Sequence, residues 1–234
     1  MEVHRHLDEE LDVLRASVLR LGGEAEAALI KTMHALTERD TEAAREVLKH
    51  DDEIDQLEVA VDRQCVDIFA LRQPAARDLR FVLAVAKMAP VLERIADHAS
   101  NIARGAIDLN QEPEPKDYSR LRKMGEIDSE MLAASLDAFA KNDAAAARAV
   151  IKRDVEINDL YNQIFHELIE MMSHEPATAT RNARLLFVAK HLERIGDYVT
   201  DICELTVYMA EAAIIKHIHC FQHSFRVVAV RRDW

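Results

Sequence analysis

The chain has 234 residues, enough for one large or two small domains; 49% of them are apolar and only 5% aromatic. Glycine and proline number five each and the composition leans on Ala, Leu, Glu, Arg and Asp, which is helix usage and excludes a sheet protein. The net charge of −12 repels phosphate backbones and excludes general nucleic-acid binding.

In chain order, the segment from Met1 to Asp12 is acidic and carries no apolar run, so no leader peptide is expected. A first helix is predicted over residues 3–38, with Gly22-Gly23 inside its pattern. Asp40 is placed to cap a second helix, 41–72. Pro74 separates that helix from a third, 75–109. Its most apolar stretch, Phe81 to Leu92, contains Lys87 and is too short to span a bilayer, so no membrane insertion is expected. Pro113 and Pro115 make residues 110–117 the best linker. Three more helices follow, over 118–141, 144–173 and 177–216. Asn142-Asp143 repeats the turn at Asp40, and Pro176 repeats the break at Pro74. The cysteines, Cys65, Cys203 and Cys220, are odd in number and form no C-x-x-C, which points to a reducing, cytoplasmic compartment.

This rhythm is an internal repeat. Residues 35–55 match residues 138–158 at ten of 21 positions, and 92–102 match 192–202 at six of 11. Ala-rich helices could produce the alanine matches, but not two copies of L-E-R-I-x-D. Long helices joined by short turns pack antiparallel. The expected fold is all-α: two repeated antiparallel three-helix bundles of six long helices, over 1–110 and 117–216, followed by an atypical tail, 217–234. The third and sixth helices are apolar over much of their circumference, which suits packing between bundles.

The chemistry lies in carboxylate rows. Glu93 and Asp97 are four residues apart and share one helix face; Glu193, Asp197 and Asp201 do the same. On the second helix Asp51, Asp55, Glu58 and Asp62 form another row. Counting outward from Pro74 sets Asp51 level with Asp97 and Asp55 level with Glu93. Counting from Pro176 sets Asp154 against Asp197 and Asn158 against Glu193. Clustered carboxylates repel unless a cation lies among them, and all-oxygen ligation suits Mg, Mn, Ca or iron. The competing reading is a set of solvated faces balanced by Arg45, Lys49, Arg94, Arg148, Lys152 and Arg194.

With these motifs in view, the chain resembles the PhoU family of phosphate-transport and phosphate-regulon regulators. The resemblance covers residues 1 to about 216. It is carried by E-R-I-[AG]-D in both halves, by P-A-A-R-D-L-R at 74–80, and by the D-x-x-I-[DN] segments around Asp51 and Asp154. It implies two three-helix bundles and a divalent or multinuclear metal, iron first and Zn, Mn or Mg otherwise. The metal would sit on Asp51, Asp55, Glu93, Asp97, Asp154, Asn158, Glu193, Asp197 and Asp201. It also implies a negative regulator acting between the ATPase subunit of a phosphate ABC transporter and a phosphate sensor histidine kinase, as a cytoplasmic homodimer. Asn158 in place of a carboxylate weakens the second set, and the tail does not look like the family.

A second function class is a di-metal helical-bundle oxidase or ferritin-like protein. Such proteins carry E-x-x-H on their helices, and none of the eleven histidines has Glu three residues before it. No Ser-His-Asp set, P-loop or Gly-rich fingerprint is present, so catalysis is not expected. A third class is a purely structural bundle. In the tail, His217, His219, Cys220 and His223 form a weak zinc or copper candidate. His98 and His191 flank the acidic motifs and are candidates for supporting them.

Overall fold

The structure, a computed structural model, describes residues 2–113 and 118–216. Pro115 and the tail candidates His217, His219, Cys220 and His223 lie outside the described residues. The helices are α1 (Glu2–Thr37), α2 (Thr41–Arg72), α3 (Ala76–Leu109), α4 (Ser119–Lys141), α5 (Ala144–Ile151), α6 (Asp154–His174) and α7 (Ala179–Glu211). A 3-10 turn over Pro176–Thr178 precedes α7. No described helix is long and apolar enough to cross a membrane.

The turn chemistry is that of the repeat. Arg39 and Asn142 take left-handed backbone angles, and the next residue caps the next helix. Asp40 accepts from the Ala43 amide at 3.0 Å; Asp143 accepts from the Ala145 and Ala146 amides at 3.0 and 2.9 Å. Helix α3 runs through Pro90, which has no amide to donate back along the helix.

Helices α1–α3 form one bundle and α4–α7 the other, which is the expected plan with one difference. The long fifth helix is broken at Lys152-Arg153 into α5 and α6. Both residues keep right-handed helical angles. The ladder instead tightens there, with Arg153 N–H donating to the Val150 carbonyl and Glu156 N–H to that of Arg153, both at 2.9 Å. The break brings Asp154 to the start of α6, where it is buried.

Among the described residues the bundles meet chiefly through α3 against α7, as their apolar circumference implies, and α1 against α4. The second is reciprocal. A Cβ added at Gly22 of α1 would meet Leu136 of α4 at 2.5 Å, and one at Gly125 of α4 would meet Met33 of α1 at 2.7 Å. Gly22 and Gly125 are equivalent positions of the repeat, and so are Met33 and Leu136. Each helix thus seats a large side chain in the other's glycine gap. Nearby, Phe81 of α3 stacks on Phe139 of α4 with centroids 6.1 Å apart, and the Arg15 guanidinium lies 4.6 Å from the Phe81 ring. Cys65 and Cys203 are free, buried thiols, each pushed up to about 12 by burial first and then by Asp62 and Glu204 respectively.

Candidate metal centre

In the first bundle, α2 and α3 bring Asp51, Asp55, Glu58, Glu93 and Asp97 into one electrostatic group. Burial, then the Asp97 carboxylate, push Glu93 up to about 7; Asp55 and Glu58 add to this while Arg94 opposes it. Burial and then Asp51, Asp97 and Asp52 raise Asp55. Burial and then Asp62 and Asp55 raise Glu58, which becomes a member of the group rather than a bystander in the row.

The register differs from the count outward from Pro74. Asp51 accepts from the Ser100 hydroxyl at 2.8 Å, and its other oxygen lies 3.7 Å from Arg104. It is therefore level with the residue about one turn beyond Asp97, and Asp55 with Asp97. Helical side chains lean toward their own N-terminus. In an antiparallel pair the two leans are opposed, so partners sit a few residues beyond a match of Cα levels.

In the second bundle, α6 and α7 bring Asp154, Asn158, Glu193 and Asp197 together, and α4 supplies a residue that the motifs did not include. Asp128 is 0% exposed, and neither of its carboxylate oxygens has a hydrogen-bond partner. Burial first, then Asp154, Asp197 and Glu193, hold it well above the usual carboxylate range. The signal was present: Asp128 interrupts the apolar stripe Met124, Ile127, Met131 and Leu132 of α4, all buried. Asn158 donates to Asp154 at 2.6 Å and so supports a carboxylate. Asp201 lies one turn beyond Asp197, half-buried.

Some of the expected balancing cations are present. Arg94 lies 3.7 Å from Glu93 and 3.9 Å from Asp97; Arg194 donates to Asp197 at 3.1 Å and Lys190 to Glu193 at 2.5 Å. Arg45 and Arg148 instead pair with Glu42 and Glu211. Among the described residues no three His, Cys, Asp or Glu side chains close round a common point. A divalent ion bound here would have to displace Arg94, Arg194 and Lys190, which are half-buried or exposed at the rim. The donor chemistry fits such an ion: oxygens only, desolvated, mutually repelling, with one fully buried carboxylate lacking any partner.

The two groups meet across α3 and α7. His98 and His191 face each other with Nδ1 atoms 2.7 Å apart, and the Tyr198 ring lies 5.5 Å from that of His98. One imidazole must donate and the other accept, so the two cannot both be protonated. Burial, then the charges of His191, Arg194 and Arg94, bring His98 down to about 4, and burial lowers His191. The histidines bond each other rather than turning to the carboxylates.

These shifts set a pH dependence in chelator. Native Glu93 holds its proton up to about 7, well above its unfolded value, so stability rises as pH falls through that region. Native His98 and His191 shed theirs, so stability falls once pH drops below the unfolded histidine value, roughly 6.5. Melting temperature in EDTA should climb from about pH 8 to roughly 6.5 and then level off or decline. A melting temperature that drops steadily over the upper interval would show that the acids are not crowded.

Comparison with known proteins gives one consistent result. The family model described as the PhoU domain matches residues 18–106 and again residues 121–206. A protein of Pseudomonas aeruginosa named phosphate-specific transport system accessory protein PhoU homolog is 36% identical over 217 residues, 92% of this chain and 90% of that one. Its namesake from Aquifex aeolicus is 38% identical over 91% of this chain and 96% of its own. Among solved structures, PhoU from Pseudomonas aeruginosa aligns with a TM-score of 0.85 at 37% identity, covering 88% of this chain and 99% of that one. The phosphate transport system regulatory protein PhoU from Streptococcus pneumoniae aligns with a TM-score of 0.84 at 31% identity, covering 90% and 99%.

Proposed function

The chain belongs to the PhoU family, and from that premise we propose that it is a negative regulator of phosphate uptake and of phosphate-starvation signalling. Its field is the regulation of phosphate transport, after its relatives, which are named accessory proteins of that system. It acts by binding rather than by catalysis, as a cytoplasmic homodimer that adapts the ATPase subunit of a phosphate ABC transporter to a phosphate-sensing histidine kinase. The observation that carries this reading is the family match in both halves, over the two L-E-R-I-x-D segments.

The acidic groups are read as metal sites. Asp51, Asp55, Glu93 and Asp97 would hold an ion or cluster in the first half, and Asp154, Glu193, Asp197 and Asp201 in the second. Asn158 supports the second set by its bond to Asp154. Iron heads the candidates, followed by Mn, Zn and Mg. Support comes from the raised Glu93 and Asp55 and from the all-oxygen donor set. When bound, the ion supplies the positive charge that offsets carboxylate repulsion.

Deletion tests the regulatory role. In a strain lacking this chain, phosphate-starvation genes should be expressed at high phosphate near the level of starved wild type, and the reintroduced chain should restore repression. Unchanged expression, in a strain with no second copy of the family, would overturn the role.

A further inference from the structure

The two halves do not present the same acidic site. In the second, Asp128 enters from α4 with no exposure and with two oxygens that no protein group satisfies. Burying a carboxyl without a partner is costly, and such an atom in a folded core calls for a compensating group, of which a bound ion is one. The residue opposite it is Gly196 on α7. A Cβ added there would lie 3.3 Å from Asp128 Oδ1, 3.4 Å from Asp154 Oδ1 and 3.4 Å from Ile157 Cγ2, so both oxygens border the space beside Gly196, which a larger side chain would crowd. In the first half the equivalent positions of the repeat are Ala25 and Ala96, both buried. There the acids come from two helices and no first helix contributes.

We propose that Asp128 is a ligand of the second-half site, which thereby takes a hard divalent cation between three helices, α4, α6 and α7, with Asp154 and Asp197 beside it. The proposal rests on the metal reading given above. It makes the second site the more enclosed of the two, with three helix backbones converging on the ion. The first is a half-exposed site between α2 and α3.

The experiment uses the full chain carrying Glu93→Gln and Asp97→Asn, so that the second site is read alone. Mn(II) is titrated, with bound metal per chain and melting temperature as readouts. Adding Asp128→Asn is expected to weaken Mn(II) binding by about tenfold or more. It should also remove most of the metal-induced rise in melting temperature. Asp128→Ala, which copies the Ala25 of the sibling bundle, should do the same. In EDTA Asp128→Ala should melt at or above the background, because an unsatisfied buried acid has been removed, and Asp128→Asn, which exchanges it for a buried amide free of acid repulsion, should melt near the background. Unchanged Mn(II) affinity in both variants overturns the role of Asp128 and leaves the metal reading standing. If the wild-type chain takes up neither Mn(II) nor Fe(II), the metal reading falls and this proposal with it. Unfolding of both variants in EDTA would make Asp128 a structural residue and would also overturn it.

Discussion

Replacing Gly22 by leucine is expected to lower the melting temperature by roughly 6–12 °C, the effect of about 3 kcal/mol in a chain of this size. The gap at Gly22 is filled by Leu136, whose two terminal carbons would lie 2.5 and 2.9 Å from a Cβ there. Leu136 is itself buried, so it has little room to turn away. Three further carbons then force α1 and α4 apart, and the Phe81–Phe139 stack with them. Its neighbour is the control. A Cβ at Gly23 meets nothing within 4 Å, and Gly23 is exposed in the middle of α1. Gly23→Ala should therefore stabilise by roughly 0.5–1 kcal/mol through helix propensity alone. Thermal melts of both variants decide the matter: a Gly22→Leu protein as stable as wild type would mean that the two bundles do not meet through this gap.

The second large effect concerns the first acidic group. Glu93→Gln with Asp97→Asn keeps shape and removes two ionisable carboxyls from a set whose members raise one another. In metal-free buffer at neutral pH the variant should melt at or above wild type, because repulsion has been relieved. An ion at a hundred times its Kd stabilises by about 2.7 kcal/mol, so saturated wild type should gain roughly 5–10 °C from this site. The variant should lose that part of the gain and bind less metal per chain, while keeping what the second half holds. Metal analysis and melts with Mn, Fe, Zn and Mg check this. A variant that binds as much metal as wild type places the site elsewhere.

Much of this fold was legible because its boundaries are written in single residues. Asp40 and Asp143 cap the helices assigned to them, and Pro74 and Pro176 fall in the expected breaks. The break at Lys152-Arg153 carried no such mark: neither residue is glycine or proline, and both keep helical angles. Pro90 gives the opposite case, a residue that often ends a helix lying inside α3. The acidic rows were legible as rows, since spacing of four puts side chains on one face. Their register was not, because it depends on how side chains lean between two helices. Glu58 was visible in the row but its part in the group follows from proximity to Glu93 and Asp55, which is tertiary. Asp128 was not legible as a site residue because it stands alone in its helix, and one charge in an apolar stripe is the quieter signal.

The reciprocal seating of Leu136 over Gly22 and Met33 over Gly125 has the form of an isologous dimer interface, in which one patch meets its own copy. Here both copies sit on one chain. In a true homodimer every substitution is made twice, and both halves must accept it. A fused pair is released from that constraint, so an aspartate and a glycine can enter one half while the other keeps Ala25 and Ala96. Tandem fusion thus lets two acidic clefts built on one plan differ in depth and in the number of helices that supply their acids.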